Sequence, residues 1–160
     1  LADIGQVIRG RAEITIIKHL IDLATDPFVP NGLAEVEHHE KGVADFEWDP
    51  TKVRLHLSAN QMGSKTIEGN KLRKELVPEL PFNANLLDYL LKNPNLIPEE
   101  WKKDQAGNTC YIYFWGTIYR NSDGYLFVRC LYWRGGEWFS SCYWLGSDWR
   151  FNDPAACLAK

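Results

Sequence analysis

The chain has 160 residues, 45% of them hydrophobic and 24% charged, with a formal net charge of −3. Those proportions fit a globular protein, and the absence of a basic footprint argues against double-stranded nucleic acid as a partner. No apolar run approaches the roughly 20 residues of a membrane helix, and no charged-then-apolar leader opens the chain.

The length predicts a single domain over 1–160, large enough to bury about two thirds of its unfolded surface without a metal or a disulfide. Between Glu13 and Leu23 the apolar residues follow two periods. Ile14 and Ile16 suit a strand, while Ile17, Leu20, Ile21 and Leu23 suit a helical stripe. Asp26-Pro27 and Pro30-Asn31-Gly32 then impose turns, because proline fixes φ and Asn-Gly tolerates positive φ. Residues 33–39 read as extended. After Asp49-Pro50, Val53, Leu55 and Leu57 alternate with Arg54, His56 and Ser58, which favours a half-buried strand. The rival reading makes Asp49 the N-cap and Pro50 the first residue of a helix. Residues 70–77 predict a short helix with Leu72 and Leu76 inward. A stronger helix follows over 83–92, capped by Asn83, striped by Leu86, Leu87, Leu90 and Leu91, and stopped at Asn93-Pro94. Pro98-Glu99-Glu100-Trp101-Lys102-Lys103 reads as one helical turn, acids first and bases last.

The C-terminal third is unusual. Of the 21 aromatic residues, 15 fall between Tyr111 and Phe151. Three strands are expected over 109–120, 125–133 and 137–145, joined by Asn121-Ser122-Asp123-Gly124 and by Gly135-Gly136. The second turn sets Arg134 opposite Glu137 and Trp133 opposite Trp138. Extending that register assigns Ile112, Phe114, Ile118, Leu126, Val128, Cys130, Tyr132, Phe139, Tyr143 and Leu145 to a core face covered by the 83–92 helix. The other face receives Tyr111, Tyr113, Trp115, Tyr119, Phe127, Arg129, Leu131, Trp133, Trp138 and Trp144, with the first strand's faces resting on a bulge at Gly124. The fold class is therefore α+β: an antiparallel C-terminal meander of three or more strands over 109–151, packed against two or three short helices.

From that second face come the candidate ligand-binding residues Tyr113, Trp115, Arg129, Trp133, Trp138 and Trp144. Flat amphipathic rings stack on sugars or unpaired bases, and Arg129 among them suits a phosphate or carboxylate. The competing reading is a second core layer, favoured because the residues before 109 must pack on something. Other constellations are weaker. His38-His39 in an extended segment point to opposite faces and cannot readily share an ion. His56 is a candidate base without a nucleophile. Gly63-Ser64-Lys65-Thr66 lacks the phosphate-loop spacing. Cys110, Cys130, Cys142 and Cys157 have no C-x-x-C spacing, and the register sets Cys130 and Cys142 on opposite faces. They read as reduced thiols in a cytoplasmic protein. No metal site and no cofactor are expected.

Several words in the chain resemble a group of small uncharacterised bacterial proteins, common in candidate-phylum genomes and mobile, integron-type gene cassettes. They are Asp26-Pro27-Phe28-Val29-Pro30, Phe46-Glu47-Trp48-Asp49-Pro50, Glu68-Gly69-Asn70-Lys71-Leu72-Arg73, Asn83-Ala84-Asn85-Leu86-Leu87-Asp88-Tyr89-Leu90-Leu91, Leu96-Ile97-Pro98-Glu99-Glu100-Trp101, Phe114-Trp115-Gly116-Thr117-Ile118-Tyr119-Arg120, and the ending from Trp144-Leu145 to Asp153-Pro154-Ala155-Ala156. The resemblance covers most of the chain after Leu20, implies one intact domain with residues 1–20 as an appended or irregular segment, and transfers no activity.

The residues point first to a non-enzymatic binding or accessory protein that uses the aromatic face for a small molecule, a sugar or a protein. One alternative is a small enzyme acting on a nucleotide or sugar with His56 or an acid as base. Another is a protein-interaction partner, such as one half of a toxin and antidote pair or a homodimer.

Overall fold

A computed structural model describes residues 17–160, so Ile14, Ile16 and most of the expected N-terminal addition lie outside the described residues. The architecture is mixed α+β, with a curled, largely antiparallel sheet and few helices. Strand β1 (Leu20–Ile21) pairs with β3 (Phe46–Glu47), so the stripe expected to be helical from Ile17 to Leu23 holds a two-residue strand instead. The Asp22 carboxylate accepts the N–H groups of Ala24 and Thr25, a turn that stops any helix there. Between these strands lies β2 (Glu35–His39). Both readings of the Asp49-Pro50 region hold in part. Asp49 caps a single 3-10 turn over Pro50–Lys52, and β4 (Val53–His56) follows directly. Next come β5 (Ile67–Glu68), helix α1 (Gly69–Leu76) and helix α2 (Ala84–Lys92), whose N-terminus Asn83 caps.

The expected first strand of the C-terminal third is divided into β6 (Ile112–Tyr113) and β7 (Thr117–Arg120). Both lie along one edge of β8 (Leu126–Arg134), and β9 (Glu137–Trp144) lies along its other edge. The β8–β9 hairpin turns at Gly135-Gly136 with φ of 61° and 89°, setting Arg134 opposite Glu137 and Trp133 opposite Trp138. Short β10 (Asp148–Trp149) pairs with β5, and β11 (Ala155–Leu158) inserts between β6, in parallel, and β4. β2 extends the sheet on the far side of β7.

The division at Phe114-Trp115-Gly116 changes which side chains share a face. Tyr119 stands opposite Phe127, as expected, but Ile112 stands opposite Leu131 and Tyr113 opposite Cys130. Ile112 and Phe114 therefore join the Arg129 face, while Tyr113 and Trp115 join the Val128 and Cys130 face. The expected faces of the first strand are reversed over 111–115, and the cause is this turn rather than a bulge at Gly124. The cover is reversed too. α2 packs on Ile112, Phe114 and Leu131, whereas Leu72 and Leu76 of α1 pack with Tyr113, Trp115, Val128 and Trp149. Both faces are core over their central area, so the second-core-layer reading describes much of the aromatic face.

Gly116 holds the break in place. Its N–H donates to the Phe82 carbonyl and its carbonyl accepts from the Glu40 N–H, so the backbone before α2 lies directly against it. A Cβ here would fall 2.7 Å from the Asn83 nitrogen and from the Phe82 carbonyl carbon. Beside it, the Ala84 N–H donates to the Thr117 hydroxyl, which bonds His39 Nδ1 at 2.9 Å, and His39 Nε2 reaches the Thr25 carbonyl at 3.1 Å. This chain ties the start of α2 to β7 and β2. Gly116→Ala is expected to destabilise the fold by about 1–3 kcal/mol through overpacking, read as a lower denaturation midpoint with an unchanged slope. An unchanged midpoint would show that the approach is not tight.

Candidate ligand-binding cleft

On the Cys130 face, beyond the reach of α1, the side chains leave a cleft of about 320 Å³. Its walls come from four chain segments: Tyr111 and Tyr113, Tyr132 with Arg134, Tyr143, and the Arg150–Asp153 loop after β10. The strand period explains the convergence. Tyr113, Cys130 and Ser141 are register partners across β6, β8 and β9, and Tyr132 and Tyr143 sit two residues away on the same face. Trp149, fully buried, packs beneath them, its ring centroid 4.9 Å from Tyr143 and 5.5 Å from Tyr113. Tyr111 and Tyr132 pack at 5.2 Å on the opposite side.

The charged groups are arranged asymmetrically. Arg134 Nη2 donates to the Tyr111 phenol at 2.8 Å, and its guanidinium lies 5.4 Å from the Tyr132 ring, yet no carboxylate pairs with it among the described residues. Arg150 is exposed at the rim and likewise has no ion pair among them. Asp153 is buried, and its Oδ2 accepts the Arg150 N–H at 2.9 Å. Burial raises the Asp153 carboxyl above its ordinary value, against the opposing effect of that hydrogen bond and the Arg150 charge. Burial also pushes the Cys130 thiol up to about 12 and the Tyr113 phenol well above its ordinary value, so both stay neutral at physiological pH.

The six residues nominated from sequence do not form one site. Tyr113 lines the cleft. Trp115 lies on the same face but beside α1, buried against Trp149 at 5.1 Å. Arg129 is on the opposite face, 5% exposed, and forks onto Asp88 of α2 at 2.8 and 2.9 Å. Burial works against its charge, and Asp88 with Tyr119 outweighs that, holding the guanidinium above its usual pKa. It joins helix to sheet rather than offering a free cation. Trp133 and Trp138 form a half-buried cross-strand pair at 5.5 Å, with Lys102 Nζ 3.7 Å from the Trp133 ring. Trp144 is exposed beside Tyr125 and Phe127. His56 lies elsewhere, its Nδ1 bonded to Arg54 at 3.1 Å. Among the described residues no group of three metal-ligating side chains gathers, and no helix is long and apolar enough to cross a membrane.

Sequence reasoning missed Tyr111, Tyr132, Tyr143, Arg134, Arg150 and Asp153 as a set. The two-residue spacing of Tyr111 and Tyr113, with Tyr132 and Tyr143 on one face of the hairpin, was a usable signal. Arg150 and Asp153 had none, because they arrive through the distant pairing of β11 with β6. No family model matches the chain, and no curated protein or solved structure matches it either.

A buried carboxylate facing a cleft costs stability that its amide would not. Asp153→Asn keeps an oxygen for the Arg150 N–H and removes the charge. Because the carboxyl's folded pKa is raised above 3.8, its destabilising effect is full at neutral pH and vanishes as pH falls below that value. The variant is expected to melt about 2–4 °C above wild type at pH 7, with the gap closing near pH 3.5, by calorimetry across that range. A variant less stable than wild type at pH 7 would contradict this.

Proposed function

We propose that this protein is a non-enzymatic binding protein whose site is the tyrosine-walled cleft, and that its ligand is a small planar anion. The observation that carries the reading is the convergence of four tyrosines, two guanidiniums without an ion pair among the described residues, and one buried carboxylate on a single concavity. Its volume lies at the lower end of the range for small-molecule sites. Tyrosine rings stack on a planar group at little conformational cost, and their hydroxyls bond its edge. Arg134 and Arg150 supply planar forks for a carboxylate or phosphate. Asp153 accepts an N–H or O–H from the ligand's inner end.

Binding rather than turnover is favoured by the state of the lining groups. The thiols of the two lining cysteines, Cys130 and Cys142, are both raised by burial, the buried phenol is neutral, and no histidine lines it. A nucleophile with an adjacent base, the usual sign of covalent catalysis, does not gather there among the described residues. A cytoplasmic accessory role, in a bacterial cell of the kind the sequence resemblance implies, accords with this reading.

Titration with benzoate, indole-3-carboxylate and adenosine monophosphate, followed by tyrosine and tryptophan fluorescence, tests it. At least one planar anion should bind with micromolar affinity, and its uncharged amide or nucleoside should bind about tenfold or more weakly. Arg134→Met should lose about 1.5–3 kcal/mol of that affinity, the value of a hydrogen bond to a charged group. Equal binding of charged and uncharged forms, or no binding by any, would overturn the proposal.

A further inference from the structure

Among the described residues the sheet ends in three open strands, and one of them is unprotected. β2 carries Glu35, Glu37, His38 and His39 along its five residues, and charges on an edge discourage pairing. β4 has four residues, with Arg54 bonded to the Leu158 carbonyl and to Glu79. β9 has eight residues, no proline, no lysine and no bulge, and its one charge, Glu137, sits at the turn. Among the described residues nothing pairs with its outer edge. Phe139, Tyr143 and Trp144 on it are 38%, 39% and 46% exposed.

The direction of the free backbone groups on that edge is fixed. The Leu145 N–H donates to the Leu126 carbonyl, and Arg134 closes the two-residue turn with Glu137. In an antiparallel ladder alternate residues bond to the same neighbour, so 137, 139, 141, 143 and 145 face β8. The N–H and carbonyl groups of Trp138, Ser140, Cys142 and Trp144 therefore face outward.

The residues themselves form a chemical palindrome. Trp138-Phe139-Ser140-Ser141-Cys142-Tyr143-Trp144 reads aromatic, aromatic, small, small, small, aromatic, aromatic, centred on Ser141. We propose that β9 pairs antiparallel with β9 of a second copy about a two-fold axis through Ser141. In that register Trp138 meets the second copy's Trp144, Phe139 meets its Tyr143, and Ser140 meets its Cys142. Each outward backbone group then meets another outward group. A one-residue slip sets outward groups against inward ones. A two-residue slip sets Trp138 against Cys142 or a glycine, losing the aromatic pairs that stabilise adjacent strands. Hydrogen-bonding parity thus removes the odd slips, and the palindromic residue classes choose the Ser141 axis among the even ones. The interface is isologous and closes after two copies, because the other edges are blunted. It also sets the second copy's Phe139 beside Tyr143 at the margin of the cleft, although the pairing does not depend on a ligand there.

Cross-linking at the axis tests the register. Two residues facing each other at a non-hydrogen-bonded position have Cα atoms about 4.5 Å apart, within disulfide range. The triple variant Cys130→Ala, Ser141→Cys, Cys142→Ser, which also removes the thiol directly opposite position 141 in the same chain, should form a disulfide-linked dimer on mild oxidation. Wild type should not, since its two Cys142 residues lie diagonally, beyond the roughly 7 Å limit. Sedimentation should show a concentration-dependent wild-type dimer in the micromolar range, and Ser141→Lys should weaken it at least about tenfold by placing like charges face to face. Should the lysine variant fail to fold, the cross-link still decides. A wild type monomeric throughout the micromolar range, no link at 141, or a link at Cys142 in wild type would each overturn the proposal.

Discussion

The close approach of Gly116 to the backbone of Phe82 and Asn83 is the constraint on which the other features rest. With no Cβ in the way, the segment entering α2 lies against the strand and interrupts it between Tyr113 and Thr117. The interruption inverts the side-chain alternation of β6 relative to β7. Ile112 and Phe114 turn toward α2, and Tyr113 turns toward Trp149. An uninterrupted strand would place Tyr113 against α2 and remove one wall of the cleft. The same glycine that allows two helices to cover two faces thus determines which aromatics surround the cavity.

The arginines of the sheet divide into two classes by their partners. Arg129 is sealed between sheet and helix with Asp88, Tyr119 and Ser140 around it. Removing one member of such a buried pair costs on the order of 3–5 kcal/mol, because the remaining charge is left without water or partner. Among the described residues the Arg134 guanidinium bonds a phenol and no acid, and Arg150 is exposed at the rim. A guanidinium held in place by aromatic neighbours but not neutralised by an acid is suited to an incoming anion. Asp153 opposes these two cations from the floor, so the cleft presents both an acceptor and donors to a ligand.

Where local chemistry decides the structure, the sequence was legible. Gly135-Gly136 permits positive φ at both positions, and the whole β8–β9 register follows from it. Asn83 before a leucine stripe marked the start of α2, and Asp49 before Pro50 marked the turn ahead of β4. Where contacts between distant residues decide, it was not. β11 is Ala155-Ala156-Cys157-Leu158, short of the branched and aromatic residues that mark strands, because small side chains are what fit between β6 and β4. The turn at Trp115-Gly116 left no proline or Asn-Gly signal, since its cause is the neighbouring Phe82 carbonyl. The cleft inherits both omissions, through Arg150 and Asp153 from the first and through Tyr113 from the second.

Arginine side-chain NMR gives the most direct measurement of the central claim, that the cleft and not the Arg129 face receives the ligand. The Nε–Hε resonances of Arg134, Arg150 and Arg129 can be followed in one spectrum during titration with a planar carboxylate. Shifts at Arg134 and Arg150, with Arg129 unmoved in its bond to Asp88, are the predicted result. Movement of Arg129 with the other two silent would contradict the account and return the search to the opposite face of the sheet.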